Sequence, residues 1–338
     1  MSILTKRSVF IVGAGASVDF GLPTGEALTK TIKGLSNFGI SNHGSMYGDS
    51  ELYDAIVSRK LENRSVEAAE WRRAAGFLSR AMDVTPSIDN YLNVHRDDPL
   101  TVWIGKCAIV TAIMYGEFNS KLAPHNNAEN FSLAWFKDSW LAVLFKILAE
   151  SDGFEEFLSA LSKITFVCFN YDRCIEEFFR VVSQEYFRLR PDDTERVMAS
   201  LDVIHPYGTI GPISSSNPKE LGFGGRVDSY TISKAAQNIQ TFTEGSEQSD
   251  VDERINVAFE EANTLVSLGF SFGSMNMQKF PRTKIPNVFA TAYGESSENR
   301  LAIAMELRLL TQVSSVRNIH IKDVKCAELL LDFRKALI

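Results

Sequence analysis

Polar residues able to take part in chemistry gather at four points of this 338-residue chain, each at the end of an apolar run. Phe169-Asn170-Tyr171-Asp172 offers a carboxamide and a carboxylate, and Ile204-His205-Pro206-Tyr207-Gly208 offers an imidazole. Gly13-Ala14-Gly15-Ala16-Ser17 and Leu268-Gly269-Phe270-Ser271 offer glycine turns followed by hydroxyls. A carboxamide can hold hydroxyls or water at fixed geometry, and a histidine with a near-neutral pKa can take a proton at cellular pH. Two other readings fit the same residues. Asn170 and Asp172 are also favoured N-caps for a helix beginning near Arg173, and His205 beside Pro206 also suits a hydrogen-bonded strand end.

The first of these points carries the most local information. Val9 to Val12 is an apolar, β-branched run of the kind a parallel strand buried on both faces requires. Gly13 and Gly15 then allow a tight turn and a close backbone approach, and free N–H groups at the following helix start would face an anion. A dinucleotide fingerprint would place a third Gly or Ala where this chain has Val18. It would also place a second strand ending in an acidic residue about 20 residues on, whereas Thr24 to Leu35 reads as a helix. A ligand-free strand-to-helix turn fits these residues as well.

Composition narrows the classes. The chain is 45% hydrophobic and can bury a sizeable core, as one elaborated domain over residues 1–338. Its formal charge of −7, with no Lys/Arg cluster, gives no electrostatic footprint for nucleic acid. Cys107, Cys168, Cys174 and Cys326 form no C-x-x-C pair, and no charged-then-apolar leader opens the chain, so a reduced cytoplasmic protein is expected. The apolar stretch Thr101 to Tyr115 is shorter than the roughly 20 residues a bilayer needs and reads as a core helix, with no membrane partner expected. His43, His95, His125 and His320 have no neighbours at metal-ligand spacing, so no metal site is expected.

The elements that must position the polar residues follow from periodicity. Residues 24 to about 160 carry helical spacing and read as a large helical insertion after the first strand, with a Gly/Ser/Asn-rich loop at Asn37 to Ser50. Strands are expected at Ile164–Phe169, Asp202–Pro206, Thr264–Phe270, Asn287–Ala292 and Val316–Ile321. Helices are expected from Ile175, over Ile232–Phe242, over Ser297–Leu310 and from Cys326 onward. Residues 212–252, rich in Ser, Gly, Asn and Glu, read as a flexible surface excursion. About six strands alternating with helices make an α/β fold with a doubly wound, mostly parallel, Rossmann-like sheet. Ligands of such sheets bind beyond the C-terminal strand ends, where the four polar points lie.

Taken in order, Gly13-Ala-Gly-Ala-Ser17 with Gly21-Leu-Pro23, Phe169-Asn-Tyr-Asp172, His205-x-Tyr-Gly208 and Leu268-Gly-Phe270 resemble the bacterial sirtuin-like family. More narrowly, the chain resembles the branch whose members degrade NAD in anti-phage defence. The resemblance spans residues 8 to about 276 and touches the helical insertion chiefly at Ser87-Ile-Asp-Asn-Tyr-Leu92. It implies a sirtuin-type fold and an NAD hydrolase that releases nicotinamide and ADP-ribose. It implies that Asn170 touches the nicotinamide ribose and that His205 is the general base. It further implies NAD contacts at Gly13, Ala14, Gly15, Ala16, Ser17, Asp19, Pro23, Thr24, Asp172, Gly269, Ser271 and Asn276, with Asp89 as an additional candidate. A turn role for Asn276 and a helix-capping role for Ser87 or Asp89 compete with these assignments. The resemblance also implies a homo-oligomer or a complex with a sensor such as an ATPase, an Argonaute-like or a nucleotide-binding protein. Residues 37–50 and 212–252 are candidate contact surfaces or plain loops. Deacylating sirtuins carry two zinc-binding C-x-x-C pairs and an Asp-Phe-Arg run after the proline. This chain has no such pairs and reads Thr24-Gly25-Glu26, which favours hydrolysis of NAD over deacylation or ADP-ribosyl transfer; a non-catalytic NAD or ADP-ribose sensor is the reading from another class.

Overall fold

The computed structural model describes residues 6–40, 46–59, 66–124, 132–213, 221–245 and 249–337. His43, His125, and residues 41–45, 214–220 and 246–248 of the two candidate contact loops lie outside these residues. Strand β1 is Ser8–Val12, and a two-residue antiparallel pair, β2 at Gly39–Ile40 with β3 at Met46–Tyr47, occupies part of the expected Asn37–Ser50 loop. The remaining strands are β4 (Ile164–Cys168), β5 (Asp202–Ile204), β6 (Thr264–Leu268), β7 (Asn287–Thr291) and β8 (Ile319–Lys322).

Six of these form one sheet in the order β5-β4-β1-β6-β7-β8, every neighbouring pair parallel. Counting only these six along the chain, the order reads 3-2-1-4-5-6, which is doubly wound and Rossmann-like. The direction of winding reverses between β1 and β6, and in such sheets the crevice for a ligand opens at this reversal, beyond the C-terminal strand ends.

Central position explains the largely apolar runs. All five residues of β1, β4 and β6 are buried because helices cover both faces. Along β1 the faces alternate: Val9 and Ile11 pack with Ile104, Leu265 and Val288, while Phe10 and Val12 pack with Trp140, Phe166 and Val266.

Between β1 and β4 the described chain is helical apart from the short β2–β3 pair and connecting turns. The longest helix runs Pro99–Asn119, extending the expected stretch by two residues at its start and four at its end; the start is set by Asp98, which accepts from the Leu100 N–H, and by Pro99 in the first turn. At 21 residues it is long and apolar enough to cross a bilayer, but 72% of its most apolar window is buried inside the protein. Several boundaries shift from the sequence expectation. Strand β5 stops at Ile204, before the proline that cannot donate to a ladder. The helix expected over Ile232–Phe242 is Ser229–Ala235, set by a capping box in which Asp228 accepts from the Thr231 N–H and Thr231 reaches back. A 3-10 turn at Val316–Asn318 delays β8 to Ile319.

Candidate active site

The loops after β1 and β6 meet at the winding reversal with no room for side chains. The Gly13 N–H donates to Leu268 O at 3.0 Å and the Gly15 N–H to Gly269 O at 3.0 Å. A Cβ on Gly13 would lie 2.5 Å from Gly269 O. Gly269 has φ +58°, and its own Cβ would lie 2.3 Å from Ala16 N. Glycine is required on both sides of this contact. The Ala16 N–H returns to Gly13 O, so three N–H groups of the turn are engaged within the protein. The Ala14 N–H has no partner among the described residues, and Gly15 is exposed. Three donors of the turn are thus spent within the protein.

Asn170, just past β4, is buried against this turn. Its Nδ2 donates to Gly13 O at 3.0 Å and to Ser17 Oγ at 2.8 Å. Because a backbone carbonyl can only accept, this contact fixes which way the amide faces. Both carboxamide hydrogens are thereby committed, and Oδ1 accepts no bond among the described residues. The capping alternative falls to Asp172, whose Oδ1 accepts from the Cys174 N–H at 3.1 Å, two residues on. Burial pushes the Asp172 carboxyl up, against hydrogen bonds from Ser17 and Cys174 that pull it down. Ser17 thus bridges the carboxylate and the carboxamide.

His205, just past β5, is joined to the same group of residues. Its Nδ1 lies 2.9 Å from Asn170 O, and its Nε2 lies 2.9 Å from Glu176 Oε1. The carbonyl can only accept, so Nδ1 carries a hydrogen, and the contact to Glu176 needs a second proton between nitrogen and oxygen. Burial works against charge on the ring, but the Glu176 carboxylate, with Cys168 beside it, lifts the His205 pKa well above its ordinary value. Glu176 is a site residue that sequence reading missed. Its one signal is its place in the first turn of the helix Cys174–Phe187, just after the polar strand end that carries Asn170 and Asp172.

The remaining expected residues divide into two sets. Asp89 is brought to the strand ends: Ser87 caps its helix by accepting from the Asn90 N–H, leaving Asp89 to accept from Tyr171 Oη at 2.6 Å. Asn276, in the turn of helix Ser274–Met277, accepts from Tyr207 Oη at 2.8 Å. Tyr171 and Tyr207 thus tie Asp89 and Asn276 to the loops that carry Asn170 and His205. The second set serves local structure. Asp19 accepts from the Trp140 N–H, next to the bond from Trp140 Nε1 to Ala16 O, and so anchors the helix Trp140–Leu148 to the glycine turn. Thr24 caps Gly25–Leu35, and Pro23 lies 3.5 Å from where a Gly116 Cβ would stand. Ser271 is exposed beyond β6.

One further group holds these loops together. Arg173 and Glu117 are each only 1% exposed in their side chains and are paired. Arg173 Nε donates to Glu117 Oε1 at 3.2 Å and Nη2 to Oε2 at 2.5 Å. The guanidinium also donates to the carbonyls of Gly211, Pro212, Leu221 and Gly222. Burial opposes its charge, and Glu117 outweighs that effect and holds it above the ordinary arginine value. One side chain thus links the long helix, the loop after β4 and the start of the 212–252 segment. Among the described residues no group of three or more His, Cys, Asp or Glu has a geometry to hold a metal. No family model, curated protein or solved structure matches the chain significantly. The functional reading therefore rests on the site itself and on the resemblance of its motifs.

Proposed function

We propose that the chain is a sirtuin-type NAD hydrolase, cleaving the nicotinamide–ribose bond to give nicotinamide and ADP-ribose. The observation that carries this reading is the single hydrogen-bonded group formed by Ser17, Asn170 and His205 at the C-terminal ends of β1, β4 and β5. Expelling neutral nicotinamide from a pyridinium leaves an oxocarbenium-like ribose, which needs orientation and one base more than it needs an acid. Asn170, locked by two hydrogen bonds, keeps Oδ1 to accept from a ribose hydroxyl or water at fixed geometry. His205, held by its Nδ1–H on the Asn170 carbonyl, presents Nε2 as the atom that exchanges a proton. The winding reversal beside the Gly13–Gly269 contact is where a nucleotide diphosphate would lie.

The engaged state of these groups supports regulation. With both His205 nitrogens and both Asn170 hydrogens committed, turnover requires Glu176 and His205 to part. A partner or a homo-oligomeric assembly that shifts the 205–213 segment would accomplish this, in keeping with an anti-phage effector held in check inside the cytoplasm. The same engaged state favours, as a second reading, a sensor that binds NAD or ADP-ribose without turnover. Purified protein with NAD, alone and with the product of the adjacent gene, separates the two. Nicotinamide release lost in both Asn170→Ala and His205→Ala is the expected result, and tight binding with NAD left intact would favour the sensor.

A further inference from the structure

The structure assigns Glu176 as the positioning residue that controls the proton on His205, so that the base of the site is the His205–Glu176 pair. The assignment rests on the NAD hydrolase reading for its reaction and on geometry alone for the pair. Three observations converge. Nδ1–H is fixed on Asn170 O at 2.9 Å, which leaves Nε2 as the only exchangeable position of the ring. Nε2 meets Glu176 Oε1 at 2.9 Å. The other oxygen, Glu176 Oε2, is buried with no hydrogen-bond partner among the described residues. A buried carboxylate with one unpaired oxygen is costly unless a cation stands beside it; the protonated imidazole is the cation in contact with it, and the Arg173 guanidinium acts on its charge as well.

The other ionisable groups facing the ring are Cys168 from β4 and Asp172 from the loop that follows. The Cys168 thiol is pushed up by burial, so it stays protonated, and Asp172 is committed to the Cys174 N–H. Glu176 is therefore the group whose charge decides the state of His205.

In the reaction, a pair that has released its proton to solvent leaves a lone pair on Nε2. Water attacks the ribose carbon: its oxygen bonds to that carbon while the carbon–nitrogen bond breaks and its electrons return to the nicotinamide ring, making it neutral. The second water proton passes to Nε2 while Glu176 stands aside, and the contact with Glu176, once re-formed, holds the imidazolium until it loses that proton to solvent. The sum is NAD and water giving nicotinamide, ADP-ribose and one proton. Glu176 touches neither substrate nor water in this sequence; it meets the same nitrogen that takes the proton, so it sets the charge of the resting ring and parts from it for turnover.

Titration of the whole chain labelled with nitrogen-15 in histidine, with the His205 signal assigned by its loss in His205→Gln, tests the pair without substrate. The expected result is that His205 titrates above the ordinary value of about 6.5, and about one unit or more lower in Glu176→Gln. The acidic limb of the pH profile for nicotinamide release should move down by the same amount. An unshifted His205 in Glu176→Gln, or a wild-type His205 titrating at the ordinary value, would overturn the assignment; the second readout decides even if the variant does not fold. A shift in titration with no NAD cleavage under any condition would overturn the reaction while upholding the pair.

Discussion

Replacing Arg173 with Met tests the framework that holds the candidate site, and its size can be worked from the contacts. The substitution keeps bulk and apolar packing but removes the guanidinium from a Glu117 carboxylate that is 1% exposed. Breaking a buried pair from one side costs about 3–5 kcal/mol, because the remaining charge is stranded. Lost donors to the carbonyls of Leu221 and Gly222 add less, since these are partly buried and can recover water. The backbone N–H of residue 173 still reaches Glu117 Oε1, which limits the total. A loss of about 3–5 kcal/mol is therefore expected in equilibrium unfolding by denaturant, followed by far-ultraviolet circular dichroism. Adding Glu117→Gln removes the stranded charge while keeping its shape, and should return about 2 kcal/mol or more as a coupling term. The single variant should also recover on acidification, because a carboxyl whose folded pKa lies above its unfolded value destabilises less once protonated. A loss below about 1 kcal/mol, with no coupling to Glu117, would refute the view of this pair as a buried, charged link between the loops.

Other consequences follow from single contacts. Gly269→Ala should destabilise by more than the about 1–2 kcal/mol of left-handed strain alone, since the new Cβ meets Ala16 N at 2.3 Å; thermal unfolding measures it, and a neutral variant would mean the two turns separate freely. The raised His205 pKa makes its ion pair stabilising in full below the unfolded value of about 6.5 and progressively lost as pH rises through the folded value. His205→Gln should flatten this part of the stability–pH curve, and an unchanged slope would contradict the pair. All four cysteines are buried, with Cys326 pushed up to about 12 by burial, so a thiol reagent should label none until the protein unfolds. Rapid labelling of any of them in native buffer would place that thiol elsewhere.

The strands are readable because central position in a parallel sheet favours largely apolar runs, and Val9–Val12, Ile164–Cys168 and Thr264–Leu268 are such runs, interrupted only by Thr165, Thr264 and Ser267. Their ends were less readable, because Pro206 stopped β5 early and the signals at Asp98 and Asp228 moved two helix starts. Within the site, residues adjacent in sequence to a strand end could be placed by topology, which is how Asn170, His205 and Gly269 come to lie together. Glu117 and Glu176 could not: each acquires its meaning from a partner far along the chain, Arg173 in one case and His205 in the other. Asp19 shows the converse. The resemblance implied an NAD contact there, and the structure adds a bond from the Trp140 N–H to its carboxylate, a contact 121 residues away in sequence.

The central claim is glycosidic cleavage of NAD by a site built on Asn170 and His205. Chromatographic quantification of nicotinamide and ADP-ribose from NAD, with the protein in its assembled, partner-activated form, tests it most directly. The account predicts the two products in equal amounts from the wild-type chain and neither from Asn170→Ala or His205→Ala variants that remain folded. Intact NAD under every activating condition, or undiminished release from either variant, would contradict it.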